Sequence, residues 1–177
     1  MTDGFDVDVE GDDILEQLTD FGDDFENNLN QVAREMARFF KGKIQREIAN
    51  RAPGDSVNIG HSSTVRIEEL EPSTVSYKSS QSESGDPNKP LVFTSTMYNS
   101  VEVRQQGNAD FKVGIFSKRT TNGLAVRDYG VIQEYGYPAN NVPPRPFIRP
   151  ALFGNARRIE RKLESLTDMD VNLMRVN

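Results

Sequence analysis

Between Ile14 and Ile48 the apolar residues Ile14, Leu18, Phe21, Phe25, Leu29, Val32, Met36, Phe40, Ile44 and Ile48 recur at steps of three and four. Side chains at that spacing form one stripe of an amphipathic helix. Asp13 with Glu16 and Asp23 with Glu26 have capping-box spacing, and Gly22 lies between the two pairs. The pattern predicts a long helix over 13–51, with a kink near Gly22 and an end before Pro53-Gly54. Unbroken, such a helix would run about 58 Å. That exceeds the width of a compact body of this size, so the helix is expected to kink or to project. Its early acids and its late bases (Lys41, Lys43, Arg46, Arg51) complement the helix dipole.

After Pro53 the period changes to two. Val57 and Ile59, Val65 and Ile67, then Val75 and Tyr77 alternate with polar residues, which predicts strands with one wet face. Lys78 to Pro90 holds no apolar residue and reads as a long mobile loop. The segment Leu91 to Ser100 leads into Val101 and Val103. Gln106-Gly107-Asn108 then turns the chain into Phe111, Val113 and Ile115, the clearest hairpin in the sequence. A second polar loop spans Ser117 to Asn122. Together the strands within 56–116 predict one small antiparallel sheet of four to five strands.

From Asp128 to Leu152 the pattern is set by five prolines: Pro138, Pro143, Pro144, Pro146 and Pro150. They surround Phe147 and two arginines, Arg145 and Arg149. Each proline ring fixes its own φ and turns the preceding residue away from α geometry. The stretch 128–150 is therefore expected to be a stiff, extended strap near polyproline II. A stiff strap loses little entropy on docking, so it suits anchoring to the fold or to a neighbouring subunit. Beyond it Pro150 suits a first helical position. Leu152, Ala156, Ile159, Leu163 and Leu166 predict a closing helix over 150–167, with Arg157, Arg158, Arg161 and Lys162 on its outer face. The tail alternates at Met169, Val171 and Leu173, as a short strand or an arm adding to another subunit's sheet would. The expected architecture is α+β. A single domain over 12–167 would lie between an acidic disordered arm, 1–11, and a C-terminal arm, 168–177.

Composition narrows the function classes. Hydrophobic residues make up 36% of the 177 and the mean hydropathy is -0.62, so the core is modest and much of the chain is solvated or meets a partner. No run approaches the roughly 18 apolar residues of a membrane helix. The N-terminus lacks the basic start and apolar run of a signal peptide. The expected location is cytoplasm, or a particle assembled there. The lack of cysteine excludes disulfides, thiolate metal sites and thiol nucleophiles. The net charge of -6 is divided unevenly. Residues 1–28 carry eleven acids and no Lys or Arg; the rest sets sixteen acids against all twenty-one bases, a formal +5. An acidic arm on a basic body solvates itself or pairs with basic surface, its own or a neighbour's.

Candidate chemistry is sparse. His61 is the single histidine and sits in a Gly-His-Ser-Ser turn with no second His or Cys to share a metal. Among the carboxylates Glu134, beside the strap, is the one placed to matter. Phosphate-loop, dinucleotide and nucleophile-elbow motifs are missing from the sequence. Asp6-x-Asp8-x-Glu10-Gly11-Asp12 has the early spacing of a calcium loop. However, Asp13 stands where an aliphatic residue belongs and Gln17 where a bidentate Glu belongs. The basic closing helix and Lys118-Arg119 suit phosphate contact, but no aromatics interleave with them for base readout.

The run Tyr129-Gly130-Val131-Ile132-Gln133-Glu134-Tyr135-Gly136, a spacer, then Pro144-Arg145-Pro146-Phe147-Ile148-Arg149-Pro150-Ala151-Leu152 resembles the tail-completion, or head–tail joining, proteins of tailed bacteriophages. Those proteins carry a Tyr-Ala-x-x-x-Glu-x-Gly-like segment followed by Pro-Ala-Arg-Pro-Phe-Leu-Arg-Pro-Ala. Upstream, Thr94-Ser95-Thr96-Met97-Tyr98-Asn99-Ser100-Val101 is similar to their Thr-Gly-x-Leu-x-x-Ser-Ile segment. Here Gly130 stands for the usual Ala, Pro144 for Ala and Ser95 for Gly; the acidic arm and the 78–90 loop are additions. The likeness spans roughly residues 25 to 166, with its specificity in the last third.

The resemblance implies a non-enzymatic virion protein, without cofactor or metal, that forms a ring, sixfold by preference, in the neck or at the top of the tail. Such a ring joins head to tail or completes the tail. Its partners would be further copies of itself, the head connector or adaptor, and tail terminator or tube proteins. Genomic DNA would cross the lumen without sequence-specific contact. It would be found in the virion, and in host cytoplasm during assembly. The residues expected to anchor the strap or face a subunit boundary are Tyr129, Glu134, Gly136, Pro144, Arg145, Pro146, Phe147, Arg149 and Pro150. Phe147 would fill an apolar pocket, and Arg145 and Arg149 would bridge carboxylates in the body or across the boundary. The alternative reading is a nucleic-acid-associated protein that uses its basic closing helix.

Overall fold

The computed structural model describes residues 11–81, 86–91, 95–118, 120, 121, 123–161 and 164, with side chains from 19 onward except at 21, 120 and 121. The acidic arm, the Asp6–Asp12 cation question and the C-terminal arm lie outside the described residues. Helix α1, Gly11–Asn50, is 40 residues long and runs unbroken through Gly22, about 60 Å at the usual rise. Of the two outcomes expected for so long a helix, projection is the one observed. From Thr19 to Leu29 every described side chain of α1 is exposed, and the first buried residue is Val32. The second half, by contrast, buries Ala37, Ile44 and Ile48.

The strands do not assemble into one sheet. β1 (Ser56–Gly60) pairs with β2 (Ser63–Arg66), β3 (Val101–Gly107) with β4 (Asp110–Ile115), and the two-residue strands β5 (Thr120–Thr121) and β6 (Leu124–Ala125) with each other. Each is a separate antiparallel pair. The expected sheet of four to five strands is therefore corrected to isolated ribbons. Alternation sets each hairpin's wet and dry faces but not its neighbours. Here the dry faces pack on helices: α1 lies against β3 and β4, and α5 (Ile148–Phe153) against β1. The predicted hairpin has the expected register, with Val101 opposite Ile115 and Val103 opposite Val113.

Three further expectations change. Val75 and Tyr77 lie on helix α2 (Pro72–Ser79), because Pro72 occupies a first-turn position where its missing N–H costs nothing. Residues Thr96–Asn99 form a single helical turn, α3, ahead of β3. Helix α4 (Val126–Tyr135) occupies the first third of the expected strap. The prolines act only after it. Pro138–Asn140 make a 3₁₀ turn, and only residues 142–146 run between it and the bend at Phe147, so the strap is five residues long. The closing helix starts at Ile148, with Pro150 third in it, and stops at Phe153; helix resumes at 156–161. Gly154 and Asn155 form the break, and they separate the expected 150–167 helix into two pieces.

The core gathers where these elements meet. Ile44 and Ile48 of α1, Leu91, Met97 of α3, Val101, Ile115, Val126 of α4, Phe147 and Ala151 of α5 form one buried cluster. Phe147, at 0% exposure, joins the strap to it. Burial of such a ring contributes about 2–3 kcal/mol by transfer alone. Gly130 lets α4 sit close, since a methyl group there would come within 3.2 Å of the Ile115 side chain. At Gly60 an added Cβ would strike the Phe153 ring at 2.6 Å, so α5 can pack on β1 only over a glycine.

Candidate functional site

The corner between α4 and α5 is organised by one carboxylate. Glu134 is 2% exposed, on the last turn of α4. Its Oε2 accepts from the backbone N–H of Phe147 at 2.8 Å and of Ile148 at 2.9 Å. Its Oε1 accepts from the N–H of Arg149 at 3.1 Å and from Arg149 Nε at 2.9 Å. Arg149 Nη2 also donates to the Glu134 carbonyl at 2.6 Å, and the guanidinium lies over the Tyr135 ring at 4.8 Å. A charge this deep is costly unless its hydrogen bonds and counter-charge are complete. Here they are. The carboxylate of one helix caps the first turn of the next, so the direction of α5 is set by α4.

The chain between them is tied as tightly. Tyr137 and Val142 exchange backbone hydrogen bonds of 2.8 and 3.1 Å across the 3₁₀ turn, and Arg145 N–H donates to the Gln133 carbonyl at 2.6 Å. Gly136 has φ +79°, and a Cβ there would lie 2.9 Å from the Val142 carbonyl oxygen and 3.0 Å from Pro144 N. Only glycine fits that approach. Pro144 is half-buried, and Pro146 and Pro150 are buried.

Arg145 has a different fate from Arg149. It turns inward and is 7% exposed, and it makes no ion pair among the described residues. It lines a cavity of about 420 Å³ with Tyr129, Gln133 and Lys78, below a mouth carrying Glu68, Glu69 and Glu71. Arg145 Nε and Gln133 Oε1 are buried without a hydrogen-bond partner. Burial lowers the affinity of the Arg145 guanidinium for its proton, against the pull of Tyr129 and Glu68. Burial likewise lowers the Lys78 ammonium, which Asp86 opposes and Arg145 reinforces. The Tyr129 phenol is raised by burial, partly offset by Arg145. Lys78 Nζ donates to the Lys89 carbonyl at 2.6 Å, and Lys89 Nζ to the Ala49 carbonyl in the last turn of α1 at 2.9 Å. The predicted 78–90 loop thus has both ends anchored to the body.

The structure places all nine sequence-chosen residues in or beside this corner. It separates the two arginines, expected to act alike, into a paired one and a cavity one. Sequence reasoning missed Gln133, Lys78 and the Glu68–Glu71 mouth. Gln133 was detectable as the seventh residue after Val126, on the same helical face. His61 stands outside this corner, its ring 6.2 Å from that of Phe153, in a turn where it has φ 49°. No helix among the described residues is long and apolar enough to cross a membrane. Comparison with protein-family models, curated proteins and solved structures finds no match to this chain.

Proposed function

We propose that this chain is a structural protein of a tailed-phage neck or upper tail, building a ring that joins head to tail or completes the tail. The observation that carries the reading, beside the resemblance of the strap residues, is the projecting half of α1. It holds its stripe residues Phe25 and Leu29 in water at 41% and 39% exposure. A lone helix that exposes an apolar stripe gains its stability from packing, and a neighbouring subunit is the natural source. The formal charges favour it: the acidic segment meets a basic body on the next copy. Sixfold order, the connector, terminator or tube proteins as neighbours, and DNA crossing the lumen follow from the resemblance.

Mass measurement and negative-stain microscopy of the purified chain across a concentration series test this reading. Reversible association into rings of one copy number is expected. A chain that stays monomeric throughout and shifts duplex DNA with a steep salt dependence would replace it with the nucleic-acid reading. That second reading has its own observation, the exposed Arg157, Arg158 and Arg161 on the last helical stretch.

A further inference from the structure

Between the middle of α1 and the last helical stretch, 156–161, lies an open groove of about 560 Å³, lined by Glu35, Met36, Phe39, Arg158 and Arg161. Met36 and Phe39 are half-buried and supply its apolar floor. Two cations lie over the Phe39 ring, with Lys43 Nζ 5.2 Å from its centre and the Arg158 guanidinium 4.5 Å. Arg158 and Arg161 are exposed, and neither they nor Lys43 enter an ion pair among the described residues. Glu35, the one acid of the lining, accepts from Gln31 Nε2 at 3.4 Å. An apolar floor under uncompensated cations suits an acidic amphipathic partner.

This chain carries such a segment itself. Along the projecting half of α1, Phe25 and Leu29 share one face at 41% and 39% exposure. Asp20 and Asp24 stand along one edge of that face, four apart, and Asp23 and Glu26 along the other, three apart. Asn108 holds Glu26 at 3.0 Å, so the second edge turns to the chain's own hairpin and the first edge away from it. Asp20, Asp23 and Asp24 enter no ion pair among the described residues. The segment cannot reach the groove of its own chain. Met36 lies seven residues beyond Leu29 on the same unbroken helix, about 10 Å along its axis, and a rigid rod does not fold back on itself.

We propose that the groove seats the first half of α1 from a second copy. Phe25 and Leu29 then meet Met36 and Phe39, and Asp20 and Asp24 lie beside Arg158 and Arg161. The proposal rests on the reading of this chain as a self-assembling protein, and it gives that assembly its contact. Donor and acceptor are different surfaces, so each pairing leaves one of each open, and successive contacts close as a ring or extend as a filament. Exposed ion pairs contribute little singly, so the apolar side chains anchor the contact and the charges set its register. A duplex phosphate backbone would meet the arginines but leave the Met36–Phe39 floor and the Phe25–Leu29 face uncovered.

The test is charge exchange in the full chain, read by sedimentation velocity at matched concentrations. Arg158→Glu with Arg161→Glu should weaken association about tenfold or more, and Asp20→Lys with Asp24→Lys by a similar factor. All four substitutions in one chain restore opposite charges, and should return association to within about threefold of the parent. Because Arg158 stacks on Phe39, Arg161→Glu alone supplies an exposed variant whose urea unfolding should match the parent while its association falls. Rings that persist in the Arg158→Glu, Arg161→Glu chain would overturn the groove contact and leave the ring reading standing. A closed pair of copies that the same reversal dissociates would keep the contact and remove the ring. Reversals that each weaken association but do not restore it together would place the two segments in separate contacts and overturn the proposal. A parent chain that stays monomeric would overturn both, and a salt-dependent shift of duplex DNA lost with the two arginines would give the groove to nucleic acid.

Discussion

The α4–α5 corner and the first half of α1 are both rich in charge, yet they manage it in opposite ways. In the corner, Glu134 is 2% exposed and has four donors on its two oxygens, two of them from Arg149. Along α1 up to Leu29 the described acids stand in water, beside the stripe residues Phe25 and Leu29, which are about two-fifths exposed. The Asn108 side chain at the β3–β4 tip reaches Glu26 through a 3.0 Å hydrogen bond. The Glu134–Arg149 pair completes its interactions within one chain. On the proposed reading, the projecting helix leaves its stripe to be covered by another copy. Substitutions in the two regions should therefore be read in different experiments: unfolding for the first, association for the second.

The largest effect is expected at Phe147, where the ring is wholly buried and touches both the helical and hairpin sides of the core. Phe147→Ala should cost about 3–5 kcal/mol, measured by urea unfolding. If the cost were under about 1 kcal/mol, the corner would not be the self-sufficient region that the contrast requires. Glu134→Gln comes next. The variant keeps the shape but turns one acceptor oxygen into an NH₂ group facing backbone N–H donors, and it removes the partner of Arg149. A loss of about 2–3 kcal/mol is expected, with α5 loosened first in hydrogen exchange at Ile148 and Arg149. Association through α1 should survive at concentrations where the variant is folded.

The same corner explains how far the sequence could be read. The stripe from Ile14 to Ile48 and the hairpin at Val101–Ile115 were legible because their apolar positions keep one period. Helix α4 was not, although its buried positions Val126, Gly130, Gln133 and Glu134 fall at helical spacing. Two of those four residues are polar and one is glycine, so the pattern carries little hydrophobic contrast. Their burial is made possible by the strap and α5, distant partners that periodicity does not encode. The prolines then drew the extended reading backward over a segment that contains none. Glu134 was recognisable as a carboxylate beside the strap, but its role as the cap of α5 depends on a turn that reverses the chain. The separate ribbons were hidden for a related reason, since alternation shows that a strand has a dry face without showing whether a strand or a helix covers it.

Alkaline titration sharpens the contrast further, because the cavity side of the corner holds two groups with opposed linkage. The Tyr129 phenol is raised in the fold, so the unfolded chain loses that proton first. Its contribution is complete below about pH 10 and declines as pH rises through the folded value. The Lys78 ammonium is lowered in the fold, so there the folded state loses its proton first. That stability therefore grows as pH rises toward about 10.4. Tyr129→Phe should make the alkaline fall in stability shallower and Lys78→Met should make it steeper, both followed by circular dichroism. Identical slopes in the two variants would show that the cavity side chains are as solvated as those of α1.

The smallest effect on stability is expected where the largest effect on assembly lies. Phe25→Ser with Leu29→Ser alters two stripe residues that are each about two-fifths exposed, on a helical segment whose described side chains touch little of the body. The isolated chain should change by only about 1 kcal/mol, because both side chains keep about two-fifths of their surface in water and serine is a modestly poorer helix former. If a second copy covers the stripe, however, the same two side chains are removed from an interface at every subunit boundary. Their loss should then weaken association by about tenfold or more, read by sedimentation at matched concentrations. A double variant as associated as the parent chain would leave the projecting helix without a partner in this protein. A double variant that unfolds would show that α1 leans on its own body after all, and the division between the two regions would be lost.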